Sequence, residues 1–220
     1  MTKHLIVDLS VPVNAETQVY PGDPVLRFSV HSTIARDGFN LLNVSMGSQT
    51  GTHVDAPFHF SETGLKIDEV PLDRFVGTGV MVDARAVGAR GRITWAHIAP
   101  VAAQITPGCI IILHTGWSEH YGTETYFENP FLDADACRRL IELGVKTFAI
   151  DAINIDETPD ETHPGEGFPV HHLIADVGGV ICENMTNVAA IDFEAPFISL
   201  LPIAFEAADG APIRAVAIAL

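Results

Sequence analysis

Apolar residues along this chain fall in short runs bounded by Gly, Pro, Asn and Asp, and few of the runs carry the 3.6-residue period of a helix. Runs at 5–9, 25–33, 42–46, 79–84, 109–114, 147–150, 179–182, 198–205 and 213–220 have the length and composition of strands. Helical spacing is clearest after Asp133. That residue is placed to cap a helix with Ala136, Leu140, Ile141 and Leu143 on its apolar face, ending at Gly144. A second helix is predicted from Thr94 to about Ala103, and shorter ones at 70–75 and 170–176. The pattern predicts a mixed, strand-rich α+β protein. No internal repeat, low-complexity tract or long linker divides it, so a single domain over residues 1–220 is expected.

Composition narrows the possible partners. The 220 residues are 47% hydrophobic, enough to bury one substantial core. Lys and Arg number only 12 and are scattered, and the formal net charge is −16, which argues against nucleic acid. No stretch approaches the roughly 18 uninterrupted apolar residues of a membrane span. Asp8 interrupts the first apolar run, unlike the core of a signal peptide, so the expected location is the cytoplasm. Cys109, Cys137 and Cys182 are odd in number and far apart, and they read as reduced core residues.

Candidate chemistry sits in two places. Between Thr50 and Phe60, His53 and Asp55 are two residues apart, which on an extended strand points both side chains to one face and lets them share a cation. A polar strand face ending in a turn fits the same pair equally well. His59 is in phase with them, but Pro57 breaks the strand before it, so its ring need not join the coordination shell. In the second half, His171, His172 and Glu183 flank an apolar run. A carboxylate at the end of a buried strand is costly without a counter-charge, and a cation would remove that cost. Mixed nitrogen and oxygen donors suit zinc, manganese or ferrous iron better than magnesium or calcium. Cys182 adjoins Glu183, yet strand alternation turns it to the opposite face.

The stretch Gln49-Thr50-Gly51-Thr52-His53-Val54-Asp55-Ala56-Pro57-Phe58-His59 resembles the signature His-x-Gly-Thr-His-x-Asp-x-Pro-x-His of the cyclase family of metal-dependent hydrolases, which includes bacterial kynurenine formamidases and isatin hydrolases. The likeness extends to Tyr20-Pro21-Gly22-Asp23-Pro24, His114-Thr115-Gly116-Trp117, the 151–156 segment and residues 171–184, and so covers nearly the whole chain. It implies a swivelling β/β/α arrangement. It also implies one metal held by His53, Asp55 and Glu183, and a second held by Asp55, His171 and Glu183. The cofactor expected is thus a divalent ion, zinc or manganese, one or two per chain. His59 matches the family's general acid/base, and Tyr20 falls where the formamidases place a substrate-contacting Trp. Gln49 departs from the pattern, which has a ligating His there; an amide oxygen is a weaker donor, so Gln49 either coordinates through it or turns away. Of the adjacent pair, the resemblance implies His171 as ligand, its twelve-residue separation from Glu183 matching the family pattern, and leaves His172 to packing, ligand support or substrate contact.

The activity implied is hydrolysis of the carbon–nitrogen bond of a small amide, an aryl formamide of the N-formylkynurenine type. A bound divalent ion lowers the pKa of its water toward roughly 7 and polarises a carbonyl, while an imidazole of pKa about 6.5 exchanges a proton with the leaving nitrogen. Competing readings are an isatin-type cyclic amide hydrolase with one metal, a cyclase or lyase using the same ions, and a metal-stabilised binding protein. A homodimer or homotetramer is expected. The acidic, Gly- and Pro-containing loop 156–169 reads as exposed, and as a lid or subunit contact, with His163 a solvated residue. Asp151 and Asp156 read as turn caps or as supports for ligands. Phe39, Phe58, Phe60 and Phe168 read as core unless the loops converge.

Overall fold

In the computed structural model, which describes residues 5–220, thirteen strands and four α-helices follow the alternation of apolar runs and turns. The strands are β1 (Ile6–Asp8), β2 (Arg27–Ser32), β3 (Leu41–Ser45), β4 (His53–Asp55), β5 (Val76–Asp83), β6 (Arg92–Ile93), β7 (Ile110–His114), β8 (Phe131–Leu132), β9 (Thr147–Ile150), β10 (Val180–Glu183), β11 (Phe197–Ser199), β12 (Gly210–Pro212) and β13 (Val216–Ile218). The helices are α1 (Ile34–Asp37), α2 (Trp95–Ile98), α3 (Ala134–Glu142) and α4 (Pro169–Asp176). Nine strands form one sheet in the order β1-β13-β11-β5-β7-β9-β10-β4-β12. Its centre, β5-β7-β9-β10, is parallel and its flanks are antiparallel.

The central strands are apolar throughout because both faces are covered. In β7 the alternation sends Ile111 and Leu113 to a core shared with Ile98, Ala136, Leu140 and Ile174 of the helical layer. Ile110 and Ile112 go to a second core with Val54, Phe75, Cys182 and Ala217. Helix α3 starts where the sequence predicted, with the Asp133 carboxylate accepting from the backbone N–H groups of Asp135 and Ala136, but it ends at Glu142, buries Cys137 with Ala136 and Leu140, and leaves Leu143 exposed. Helix α2 is capped by Thr94 in a reciprocal bond with His97, then tightens into a 3₁₀ turn at Ala99–Gln104, where Pro100 cannot supply a helical N–H.

Several expectations are corrected. The segment 70–75 holds only a 3₁₀ turn, Leu72–Arg74. The run 198–205 is a strand only to Ser199, since Pro202 cannot continue the ladder, and Ile203 and Phe205 are exposed. The run 213–220 narrows to β13, and β12, rich in small residues, carried no strand signal. Strands β2 and β3 stand apart as a two-stranded ribbon, with Val30, Leu42 and Val44 exposed.

Candidate metal and acid/base site

The site lies where the parallel strands end. Strand β4 pairs antiparallel with β10, setting His53 opposite Glu183 and Asp55 opposite Ile181. Opposed residues share a face, so His53, Asp55 and Glu183 project together while Val54 and Cys182 point into the second core. His171 arrives on the first turn of α4, and Asp156 fixes both the helix start and the ring. One Asp156 oxygen accepts from Val170 N at 3.0 Å; the other accepts from His171 N at 3.0 Å and from His171 Nδ1 at 2.7 Å. Capping and ligand support, read as alternatives in the sequence, are here one interaction.

The four side chains close a buried box. His53 Nε2 stands 3.3 Å from Asp55 Oδ1 and 3.6 Å from Glu183 Oε2, and His171 Nε2 stands 3.4 Å from Asp55 Oδ2 and 3.5 Å from Glu183 Oε1. The outer ring nitrogens are engaged, His53 Nδ1 with Gly51 O at 2.8 Å and His171 Nδ1 with Asp156, so both Nε2 atoms face inward. Glu183 Oε1 accepts from Ile155 N at 2.7 Å. Asp55 has no aligned hydrogen-bond donor at either oxygen, although both are buried. Such a carboxylate requires a counter-charge. Two imidazoles and two carboxylates fit a divalent transition ion, and the ligand atoms of His53, Asp55 and Glu183 lie within 4.8 Å of one another.

Without a cation the imidazoles answer that charge themselves. Burial works against a charged His53, but the adjoining Asp55 and the field of Glu183 override it and raise the ring to about 9. His171 is likewise pushed well up, burial being outweighed by Asp156, Asp55 and Glu183. Asp55, for which burial alone would act upward, is driven below the usual carboxylate range by the two rings.

Beyond the box, Pro57 ends β4 and starts a 3₁₀ turn, Pro57–His59, which carries His59 to the cavity wall with its ring centroid 6.4 Å from that of His171. His59 Nδ1 contacts Asp209 Oδ2 at 3.0 Å. Gln49 donates from Nε2 to the same Asp209 oxygen at 2.9 Å, while its own Oε1 is buried without a partner. Tyr20, Phe60, Ile153 and Phe168 wall a cavity of about 250 Å³, and Asp23, Asn154 and Asn184 add polar edges. The Phe60 ring lies over His171 at 4.3 Å. Tyr20 is half-buried, and burial followed by the field of Glu183 pushes its phenol up to about 12, so it stays a neutral donor.

His172 is exposed, meets Phe60 edge-on at 5.3 Å and does not line the cavity. His163 is exposed and bonded within its own turn to Asp160. Loop 156–169 is pinned rather than free: Arg90 holds Thr158 O and Asp160, and Arg92 holds Glu166. The loop delivers Phe168, in a left-handed conformation with φ 59°, to the cavity; Phe39 is exposed. His114 and Trp117 are buried, and Asp151 accepts from Thr115 N, Thr115 Oγ1 and Gly116 N, a turn cap distant in role from the box.

Sequence reasoning missed Asp209, Asp23, Asn154 and Asn184. Asp23 and Asp209 each sit beside Gly or Pro, neighbours that mark turns in general and not this role. Asn184 follows Glu183 and holds Gly51 O at 3.0 Å, supporting the carbonyl that orients His53. No local pattern marks these roles.

Fold and site together define a mixed-sheet protein whose buried His53, Asp55 and Glu183 have the donor set for a metal ion, and the comparisons give its family. The family profile described as "Putative cyclase" matches residues 7–157, and the chain belongs to that family. A kynurenine formamidase of Bacillus cereus is 30% identical over 216 residues, covering 96% of this chain and 95% of the relative. One from Paracidovorax citrulli is 30% identical over 227 residues, with 98% and 97% covered. Among solved structures, isatin hydrolase A from Labrenzia aggregata superposes with a TM-score of 0.87 at 23% identity, covering 98% of this chain and 93% of that one, a likeness of fold. A structure titled a predicted metal-dependent hydrolase from Bacillus stearothermophilus gives 0.77 at 25% identity, with 99% of each chain covered.

Proposed function

We propose that this chain is a metal-dependent amide hydrolase that cleaves the carbon–nitrogen bond of an aryl formamide such as N-formylkynurenine. The observation that carries the reading is the buried Asp55 carboxylate with no aligned donor at either oxygen, enclosed by His53, His171 and Glu183. These four residues would hold zinc or manganese, His53, Asp55 and Glu183 supplying donors for one ion and Asp55, His171 and Glu183 for a second. When bound, such ions polarise a carbonyl oxygen and acidify water. His59 takes a proton from the attacking water and returns it to the leaving nitrogen. Phe60, Phe168 and Tyr20 enclose an aryl group and keep bulk water away. Full-length similarity to the kynurenine formamidases supports this substrate class.

A second reading, a cyclic amide of the isatin type opened at a single ion, is favoured by one observation. Gln49 stands where a ligating imidazole is expected and directs its amide N–H to Asp209. The zinc- or manganese-loaded protein is to be tested on N-formylkynurenine and on isatin, both followed optically, with metal content measured by elemental analysis. Turnover of the first with two ions supports the formamidase reading, and turnover of isatin alone with one ion supports the second. His59→Ala is expected to lower turnover by ~10²–10⁴-fold with metal content unchanged. Full activity in that variant removes His59 from the mechanism.

We further propose that the chain works in the cytoplasm as a homodimer or homotetramer. An isolated two-stranded ribbon is only marginally stable, and the exposed apolar side chains of β2 and β3 call for cover by a second copy.

A further inference from the structure

Asp209 immediately precedes β12 and is tied to the metal strand through its backbone, its carbonyl accepting from Ala56 N at 2.8 Å. Three side chains converge on its carboxylate: Ser48 Oγ donates to Oδ1 at 2.8 Å, Gln49 Nε2 donates to Oδ2 at 2.9 Å, and His59 Nδ1 lies 3.0 Å from Oδ2. We propose that Asp209 is the positioning residue for His59, and that Gln49 and Ser48 act by fixing Asp209. Residue 49 thus serves the proton-transfer side of the cavity, not the metal side. This rests on the reading of His59 as acid/base given above.

The chemistry of the contacts carries the assignment. A carboxylate only accepts, so the ring nitrogen facing it must carry the proton. Nδ1–H of His59 is thereby fixed toward Asp209, and Nε2 is the nitrogen left to exchange a proton in the cavity. The adjoining His59 ring, acting against burial, holds Asp209 down to about 2, so it remains an acceptor across the working range. Gln49 suits this place because it donates without adding charge, leaving the carboxylate's charge to the imidazole. Its orientation is set as well, since a reversed amide would bring its oxygen against an Asp209 oxygen. Gly210 makes room for that amide: a Cβ there would stand 2.6 Å from Gln49 Oε1 and 2.7 Å from Nε2.

The test has a readout that needs no turnover. In ¹⁵N-labelled, zinc-loaded protein, long-range proton–nitrogen correlation of the His59 ring is expected to show Nδ1 protonated and Nε2 bare. Asp209→Ala should move the ring toward the Nε2–H tautomer and lower kcat on N-formylkynurenine by ~10²-fold or more, with KM changed less than about threefold and zinc content unchanged. Asp209→Glu, which restores a carboxylate, should recover part of the loss. Gln49→Ala keeps the Asp209 carboxylate but loosens its hold, and guards against a folding defect; it should retain zinc, weaken the tautomer preference and lower kcat by ~10-fold. An unchanged tautomer in Asp209→Ala, or loss of zinc in Gln49→Ala, overturns the proposal. If the wild type turns over no amide, the functional reading falls, while the ring-nitrogen shifts still decide the tautomer.

Discussion

At the residue scale, the proposed metal site sets protons against a cation for two imidazoles. His53 is raised to about 9 by Asp55 and Glu183, and His171 is pushed well up by Asp156, Asp55 and Glu183, in both cases against the opposing effect of burial. A metal ligand must be neutral, so zinc affinity should rise as pH climbs from 6 toward 9, measured by competition with a chromophoric chelator. The sign for stability is opposite. In metal-free protein the charged rings stabilise the fold fully below the unfolded histidine value of about 6.5, and that contribution is lost as pH rises through about 9. Thermal melts of chelator-treated protein should therefore fall between pH 7 and 9.5, and zinc-loaded protein should not follow. His53, Asp55 and Glu183 could be picked out in the sequence because each sits in a local spacing or at a strand end, while His59 and His171 took their roles from the family likeness. Asp209 could not, because its partners Ser48, Gln49 and His59 are some 150 residues away in the chain.

At the element scale, His171 and Glu183 keep their relation through the tight passage from α4 to β10. A Cβ on Gly179 would come within 2.7 Å of Lys146 O and 2.8 Å of Ile174 Cγ2. Gly179→Ala should cost about 1–3 kcal/mol in urea unfolding, with weaker metal retention because both ligands flank the turn. Asp133→Ala, which removes the cap of α3 far from the cavity, should cost ~1 kcal/mol and leave metal content unchanged. The helix α3 was legible to its cap because a single amphipathic face and a capping residue suffice to specify it. Strand β4 was legible only as a polar alternation, since three residues give a weak periodic signal and its pairing with β10 and β12 supplies the order.

At the scale of the whole molecule, the ribbon β2–β3 stands outside both cores with its apolar side chains exposed. Replacing Leu42 and Val44 together by Asp should convert an assembled protein to single copies in sedimentation velocity without loss of helix or strand signal. A wild type that sediments as one copy would remove the assembly proposal. Among the described residues no helix is long and apolar enough to cross a membrane.

The sequence by itself determined the strand-rich α+β character, the cap of α3 with Ala136 and Leu140 on its buried face, and the His53–Asp55 pair, because each is written in spacings of a few residues that the backbone period reads directly. Only the tertiary structure decided the strand order, the box in which Asp55 faces both imidazoles, and the turning of Gln49 toward Asp209. These depend on contacts between residues far apart in the chain, whose register is set by packing on both sides of the sheet and leaves no trace in local pattern.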